Sequence, residues 1–292
     1  MTDSFFVHPS AIVHPSAHIG RGCDIGPYCM VGPQVILHEN VRLTSHVIIE
    51  QNSTIGSDST IGAFSVLGSD PQHLIYAGQE THLIIGKNAR IREHVTIHRG
   101  TKEGGGRTVI GDRVFLMVGV HIAHDCSLGN DIVMSNQATL AGHVEVGDQA
   151  VLGGLCAVLQ FTRIGEGAMI SGLSGVASDV MPYGLVLGYP AKLMGINRIK
   201  LKRLQSSHEE IRAVHRTFQW IFCATEGSFF ERVNTIPPEF LEFSKVKVIQ
   251  EFLKKDVKRS ICMVGDARYF EKFGSSSEFL AHDALATDSH QS

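Results

Sequence analysis

Aliphatic residues recur along this chain at every sixth position. The series runs Val7, Val13, Ile19, Ile25, Val31, Leu37, Leu43, Ile49, Ile55, Ile61 and Leu67, and resumes at Ile85, Ile91 and Ile97. It then slips by one residue and continues through Ile110, Leu116, Ile122, Leu128, Met134, Leu140, Val146, Leu152, Val158, Ile164, Ile170 and Val176. A helix repeats at about 3.6 residues and an isolated strand at about 2, so neither fits. Six residues accommodate one short strand and one turn. Three such units close a triangular coil whose aliphatic residues point inward and stack on those of the next coil, ~4.8 Å away. The pattern therefore predicts a mainly β fold, a parallel β-helix of hexapeptide repeats. Many of the aliphatic residues are followed by glycine, as in Ile19-Gly20, Ile25-Gly26, Ile55-Gly56, Ile61-Gly62 and Ile164-Gly165. These glycines are expected to ease the corners, where backbone φ restricts other residues.

The repeat fails twice, over residues 68–82 and 98–107. Both stretches read as loops thrown out of the coil, either as tolerated surface insertions or as flaps over a site on the prism face. After Val176 the repeat fades, and Gly188-Tyr189-Pro190-Ala191 reads as an exit turn. Beyond it the spacing becomes helical. Ser206 and Ser207 offer an N-cap, Glu209 and Glu210 an acidic first turn, and Ile211, Val214, Phe218, Ile221 and Phe222 an apolar stripe. Pro237-Pro238 separates this from a second helix carrying Val246, Ile249, Phe252 and Leu253. The expected organisation is a β-helix domain over residues 1–190, a small α-helical C-terminal domain over 191–264, and a flexible Ser-, His- and Asp-rich tail over 265–292.

Composition narrows the function. With 292 residues, 43% of them apolar, the chain can build a sizeable core. A net charge of −3 argues against a nucleic-acid partner, which calls for a dense basic face. Six cysteines without a C-x-x-C pair suit a reducing compartment. No N-terminal signal peptide and no apolar run long enough to span a bilayer stand out, so a cytoplasmic location without stable membrane insertion is expected.

Candidate chemistry concentrates in His121-Ile122-Ala123-His124-Asp125-Cys126. Adding 18 residues places Gly142 beside His124 and His143 beside Asp125; adding 18 more reaches Gln160 and Phe161. His121, His124, Gly142, His143 and Gln160 should therefore share one patch. A histidine can act as general base near neutral pH, a glycine can bare its amide to an oxyanion, and a glutamine can hold a polar ligand. The alternative is solvated corner histidines, since the chain carries 16, with His8, His14, His18 and His38 at turn positions that suggest no chemistry. A contact between His124 and Asp125 requires a corner, because strand neighbours point to opposite faces.

Three stretches, Ile91-Arg-Glu-His-Val-Thr-Ile-His98-Arg-Gly-Thr101, His121 to Cys126 and Ala138-Thr-Leu-Ala-Gly-His143, resemble the signature segments of the lipid A UDP-N-acetylglucosamine acyltransferases. The resemblance covers roughly residues 5 to 262. It implies a left-handed coil, an exception to the right-handed crossover rule. It also implies a homotrimer with sites between neighbouring prisms, and transfer of a 3-hydroxyacyl chain from acyl carrier protein to the 3-hydroxyl of the UDP-sugar. By this resemblance His124 matches the general base, Asp125 its assisting acid and Gly142 the oxyanion donor. His73, His98, His121, His143 and Gln160 match ligand-contacting positions, Gly172 the position limiting acyl length, and Asn197 and Arg203 a segment that holds the nucleotide. A thioester is already activated, so neither metal nor other cofactor is required. The chain departs from the family at Gln72-His73-Leu74-Ile75-Tyr76, where Gln-Asp-Leu-Lys-Tyr is common, at Leu159, where His is common, and at Leu204, where a second Arg is common. These departures bear on sugar and phosphate contacts and leave a 3-amino sugar acceptor open. Two other readings compete: a zinc enzyme like the gamma-class carbonic anhydrases, which the spacing of His121 and His124 fits poorly, and a non-catalytic trimer that binds acyl carrier protein through Lys200, Lys202 and Arg203.

Overall fold

The computed structural model describes residues 4–255 and 258–265; residues 266–292 of the expected tail lie outside the described residues. From Phe6 to Val176 the chain is a left-handed parallel β-helix of two- to four-residue strands. Three sheets form the three faces of a prism, and every coil contributes one strand to each. Register is strict: Val7 pairs with Ile25, Val13 with Val31 and Val146 with Ile164, an 18-residue step. Across the loops the step lengthens without loss of register, as in Leu67 with Ile97 and Ile85 with Ile110.

The hexad residues fill the interior. From Ile25 onward every one of them is buried, while Val7, Val13 and Ile19 at the open end are half-buried. Removing each such side chain from water contributes about 1.5–3 kcal/mol, which offsets the cost of ordering a helix made of two-residue strands. Four of the six cysteines, Cys23, Cys29, Cys126 and Cys156, are buried in corners. Burial pushes the Cys126 and Cys156 thiols up to about 12, which leaves them inert.

The glycines after the hexad residues serve a different purpose from the expected one. Their requirement is space. A Cβ on Gly26 would stand 1.5 Å from the Thr44 carbonyl oxygen, and one on Gly20 2.7 Å from the His38 carbonyl carbon. The left-handed backbone that turns each corner sits further along, mostly at residues that are not glycine: Tyr28, Gln34, Asn40, His46, Asn52, Asp58 and Phe64 all have φ between 54° and 60°. Each costs of order 1 kcal/mol, and coil-to-coil contacts repay it. The Asn40 amide donates to Arg21 O at 2.9 Å, and Tyr28, His46, Phe64 and His94 stack in a ladder with centroids 4.9–5.2 Å apart.

After Val176 an antiparallel hairpin, Gly184–Leu187 with Lys192–Ile196, closes the first face, with the expected exit turn between its arms. Among the described residues five α-helices follow: α1 (Arg198–Arg203), α2 (His208–Phe218), which a π-helical turn over Gln219–Cys223 extends, α3 (Phe229–Asn234), α4 (Pro238–Leu241) and α5 (Ser244–Lys254). Ser207 caps α2 by accepting from the Glu210 amide, as its sequence predicts, and a capping box of Ser228 and Glu231 starts α3. Among the described residues no helix is long and apolar enough to cross a membrane. If close coil approach is the constraint, Gly26→Ala should destabilise the fold by more than about 3 kcal/mol in urea unfolding. Gln34→Gly, at a left-handed corner, should stay within about 1 kcal/mol of the parent.

Candidate active site

One prism edge, between the second and third faces, gathers the candidate residues. There Asp125, His143 and Phe161 occupy the same corner position in successive coils, with φ of 60°, 60° and 63°. This is the corner that a contact between sequence neighbours requires. His124 Nδ1–H donates to Asp125 Oδ2 at 2.8 Å, which fixes the ring and turns Nε2 away from the carboxylate. The Asp125 side chain is fully buried and that of His124 is 10% exposed. Gly142 lies directly against the imidazole: a Cβ there would come within 2.6 Å of His124 Cε1 and 2.8 Å of Nε2.

Both loops close over this edge. In the second, the Thr101 amide donates to Asp125 Oδ1 and its hydroxyl to Oδ2, each at 2.7 Å, and Gly104 packs where any Cβ would strike the carboxylate. Burial alone would push the Asp125 carboxyl up, but hydrogen bonds from His124 and Thr101 outweigh it and hold the group below its usual range. The first loop is held from the base of the second: buried Arg99 clasps Gly68 O and Asp70, and donates to Tyr76 Oη at 3.2 Å. So held, the loop sets His73 edge-on to His124, with centroids 5.2 Å apart, and buries His73 Nδ1 without a hydrogen-bond partner.

Three more imidazoles line the edge. His143 meets His124 edge-on at 5.2 Å and stacks on Phe161 at 4.4 Å. His98 donates to Asp70 O at 2.6 Å and meets His121, whose Nδ1 lies 2.8 Å from Thr96 Oγ1. Burial lowers the affinity of all three for protons. His121 falls to about 4, by burial and then by the charge on His98, while the charge of Asp125 partly opposes the shift at His143. The ligand atoms of His124, Asp125 and His143 lie within 4.8 Å of one another, a spacing a cation could use. The carboxylate, however, already accepts from Thr101 and His124. By contrast His8 and His14 bond to Ser10 and Ser16 in their own turns, a purely structural use.

The remaining expected residues spread over all three edges of the prism. Gln160 is exposed on the third coil of the same edge, and its carbonyl accepts from Arg259 Nε at 2.9 Å. Gly172 is exposed on a second edge, beside Gly154. Asn197 caps α1 and donates to Gly167 O at 3.0 Å on the third edge, and Arg203 ends that helix. One chain thus distributes the expected site over three edges. Thr101 and Gly104 had a signal in the Gly-rich second loop, but their contact with Asp125 crosses a loop whose path spacing does not give.

A parallel β-helix with a buried carboxylate–imidazole pair at a coil corner defines a hexapeptide-repeat acyltransferase. The family described as Udp N-acetylglucosamine O-acyltransferase, Domain 2, matches residues 179–262, and the GMPPB C-terminal domain family matches residues 7–101. A relative from Sinorhizobium fredii, named acyl-(acyl-carrier-protein)–UDP-N-acetylglucosamine O-acyltransferase, is 42% identical over 196 residues, 66% of this chain and 72% of the relative. The solved UDP-N-acetylglucosamine O-acyltransferase of Moraxella catarrhalis superposes with a TM-score of 0.85 at 38% identity, covering 87% of this chain and 98% of that one. The Acinetobacter baumannii structure does so at 0.85 and 36%, covering 88% and 99%. The chain belongs to the UDP-N-acetylglucosamine O-acyltransferase family.

The lowered His121 carries a stability consequence. Its folded value of about 4 lies below the ordinary 6.5, so the unfolded chain takes the proton first. Its stabilising contribution is complete above about pH 6.5 and drains away as pH falls towards 4. Between pH 7 and pH 4.5 the urea midpoint of His121→Gln should therefore fall less than that of the parent.

Proposed function

We propose that this protein transfers a 3-hydroxyacyl chain from acyl carrier protein to the 3-hydroxyl of UDP-N-acetylglucosamine, the first step of lipid A synthesis, in the cytoplasm. The observation that carries this reading is the line Thr101–Asp125–His124 ending on an imidazole Nε2 beside the bare backbone of Gly142. A sugar hydroxyl is a weak nucleophile until a base takes its proton. His124 Nε2 accepts that proton as the oxygen attacks the thioester carbonyl, and Asp125 stabilises the imidazolium that forms. The Gly142 N–H receives the oxyanion of the tetrahedral intermediate. Collapse of the intermediate breaks the C–S bond, and His124 returns the proton to the departing thiolate. Every proton is carried by the chain's own residues, without a metal.

His121, His98 and His143, neutral near pH 7 because burial opposes their protonation, suit hydrogen bonding to sugar hydroxyls. His73, with its unpartnered Nδ1, suits a ligand atom entering beside His124. The separation of Gly172, Asn197 and Arg203 on other edges supports a homotrimer in which neighbouring prisms bring acyl-length, nucleotide and base residues together.

His124→Ala should lower kcat by about 10²–10⁴-fold with acyl carrier thioester and UDP-N-acetylglucosamine; equal turnover in variant and parent would remove His124 as the base. EDTA should leave turnover unchanged, and a loss restored by zinc would instead favour a metal enzyme. If sites are shared between subunits, mixing His124→Ala with Arg203→Ala chains during refolding should recover activity that neither has alone.

A further inference from the structure

The segment after α5 returns to the candidate site and brings two cations with it. It is laced to the end of the β-helix: the Asp179 amide donates to Ser260 O and the Cys262 amide to Asp179 O, both at 2.8 Å, and the Leu193 amide donates to Met263 O at 3.0 Å. Its anchor is itself fixed. Buried Asp179 accepts from the Arg163 amide and from its Nε, each at 2.8 Å, and the Arg163 guanidinium lies 4.2 Å over the Phe252 ring of α5.

This strap delivers Lys258 and Arg259 to the third coil of the site. Arg259 Nε donates to Gln160 O at 2.9 Å, a single bond that leaves the donors of its two terminal nitrogens for other partners. Lys258 Nζ stands 4.1 Å over the Phe161 ring, which stacks on His143, which in turn meets His124. Lys258 is close enough for its charge to lower the proton affinity of His143. Among the described residues no carboxylate forms an ion pair with either cation, and Asp125, the carboxylate of this edge, is buried and engaged.

We propose that Lys258 and Arg259 form a phosphate-binding pair at the mouth of the candidate site. A guanidinium held by one nitrogen presents the others as a fork to phosphate oxygens, and a lysine on an aromatic ring adds a point charge. This rests on the acyl-transfer reading, in which both substrates carry phosphate: the diphosphate of the UDP-sugar and the phosphodiester of the carrier's 4′-phosphopantetheine arm. The two sources share one chemistry and separate experimentally.

Lys258→Met keeps an apolar stem over Phe161 and removes the charge, and Arg259→Gln removes the fork. Affinities of parent and double variant are measured by calorimetry for UDP and for acyl-4′-phosphopantetheine. A loss of about tenfold or more is expected for one probe, as removal of charge-assisted hydrogen bonds gives. Loss for UDP assigns the pair to the nucleotide; loss for the thioester assigns it to the carrier arm. Lys258→Arg with Arg259→Lys should restore most of the affinity, which a purely structural role of the strap would not. Equal affinities in parent and variant for both probes, or binding of neither probe to the parent, would overturn the phosphate site. Turnover with and without His124 is read separately, so the acyl-transfer reading stands or falls on its own measurement.

Discussion

The eighteen-residue register of the coil is the constraint on which the rest of the molecule depends. Because each coil hydrogen-bonds to the next in strict register, residues far apart in sequence share one vertical line on the prism, at the spacing between strands. The interior hexad sets that register, since a slip of one residue would turn the aliphatic column outward. A corner line then becomes a place where chemistry can be assembled from three coils without any long-range fold to arrange it. Asp125, His143 and Phe161 stand on such a line, and the left-handed backbone they share sends their side chains the same way.

Burial gives this edge its character. Five imidazoles, His73, His98, His121, His124 and His143, gather at an edge with a single carboxylate, and if all were charged the repulsion would be large. The structure resolves this by desolvation, which keeps His98, His121 and His143 in their neutral forms, while Asp125 stays ionised through hydrogen bonds from Thr101 and His124. His124 alone of these rings is hydrogen-bonded to the carboxylate, which orients it, while His143 Nε2 lies 3.6 Å from the same oxygen. Such a division, with one oriented ring among neutral neighbours, fits a single proton carrier surrounded by hydrogen-bond partners.

The sequence carried the prism and the stacked patch because both follow from one period. His124, Gly142, His143 and Gln160 could be superposed by adding 18, and the coordinates place them on one edge. Other features left weaker traces. Hexad spacing suggests a conformational role for Gly20 and Gly26 but says nothing about how closely successive coils approach; their contacts with the His38 and Thr44 carbonyls are visible only in three dimensions. Thr101 reaches Asp125 through an insertion whose length breaks the period, so its partner could not be counted to. Helices α3 and α4 are short, and the strap at 258–264 pairs through isolated bridges to Asp179 and Leu193, a long-range contact without periodic signature. Asn197 and Arg203 carried no signal beyond the family resemblance; helix α1, which Asn197 caps and Arg203 ends, follows a hairpin whose turn sets the edge they occupy.

The same register accounts for where this chain can depart from its family without losing the pair at its centre. His73 and Ile75 ride on the first loop, Leu159 is an exposed corner residue, and Leu204 caps a helix on another edge. None of them lies in the interior column, and none contacts Asp125 through a hydrogen bond. The loop is fixed at its base by Arg99, so the residues at its tip can change while the loop keeps its path. Imidazole in place of carboxylate at His73 removes an acidic group beside His124, and Ile75, 65% exposed, withdraws a cation from the loop tip. The two changes balance in formal charge. They act at different distances, however: the change at His73 falls 5.2 Å from the His124 ring, whereas that at Ile75 falls on the exposed tip, where solvent screens it.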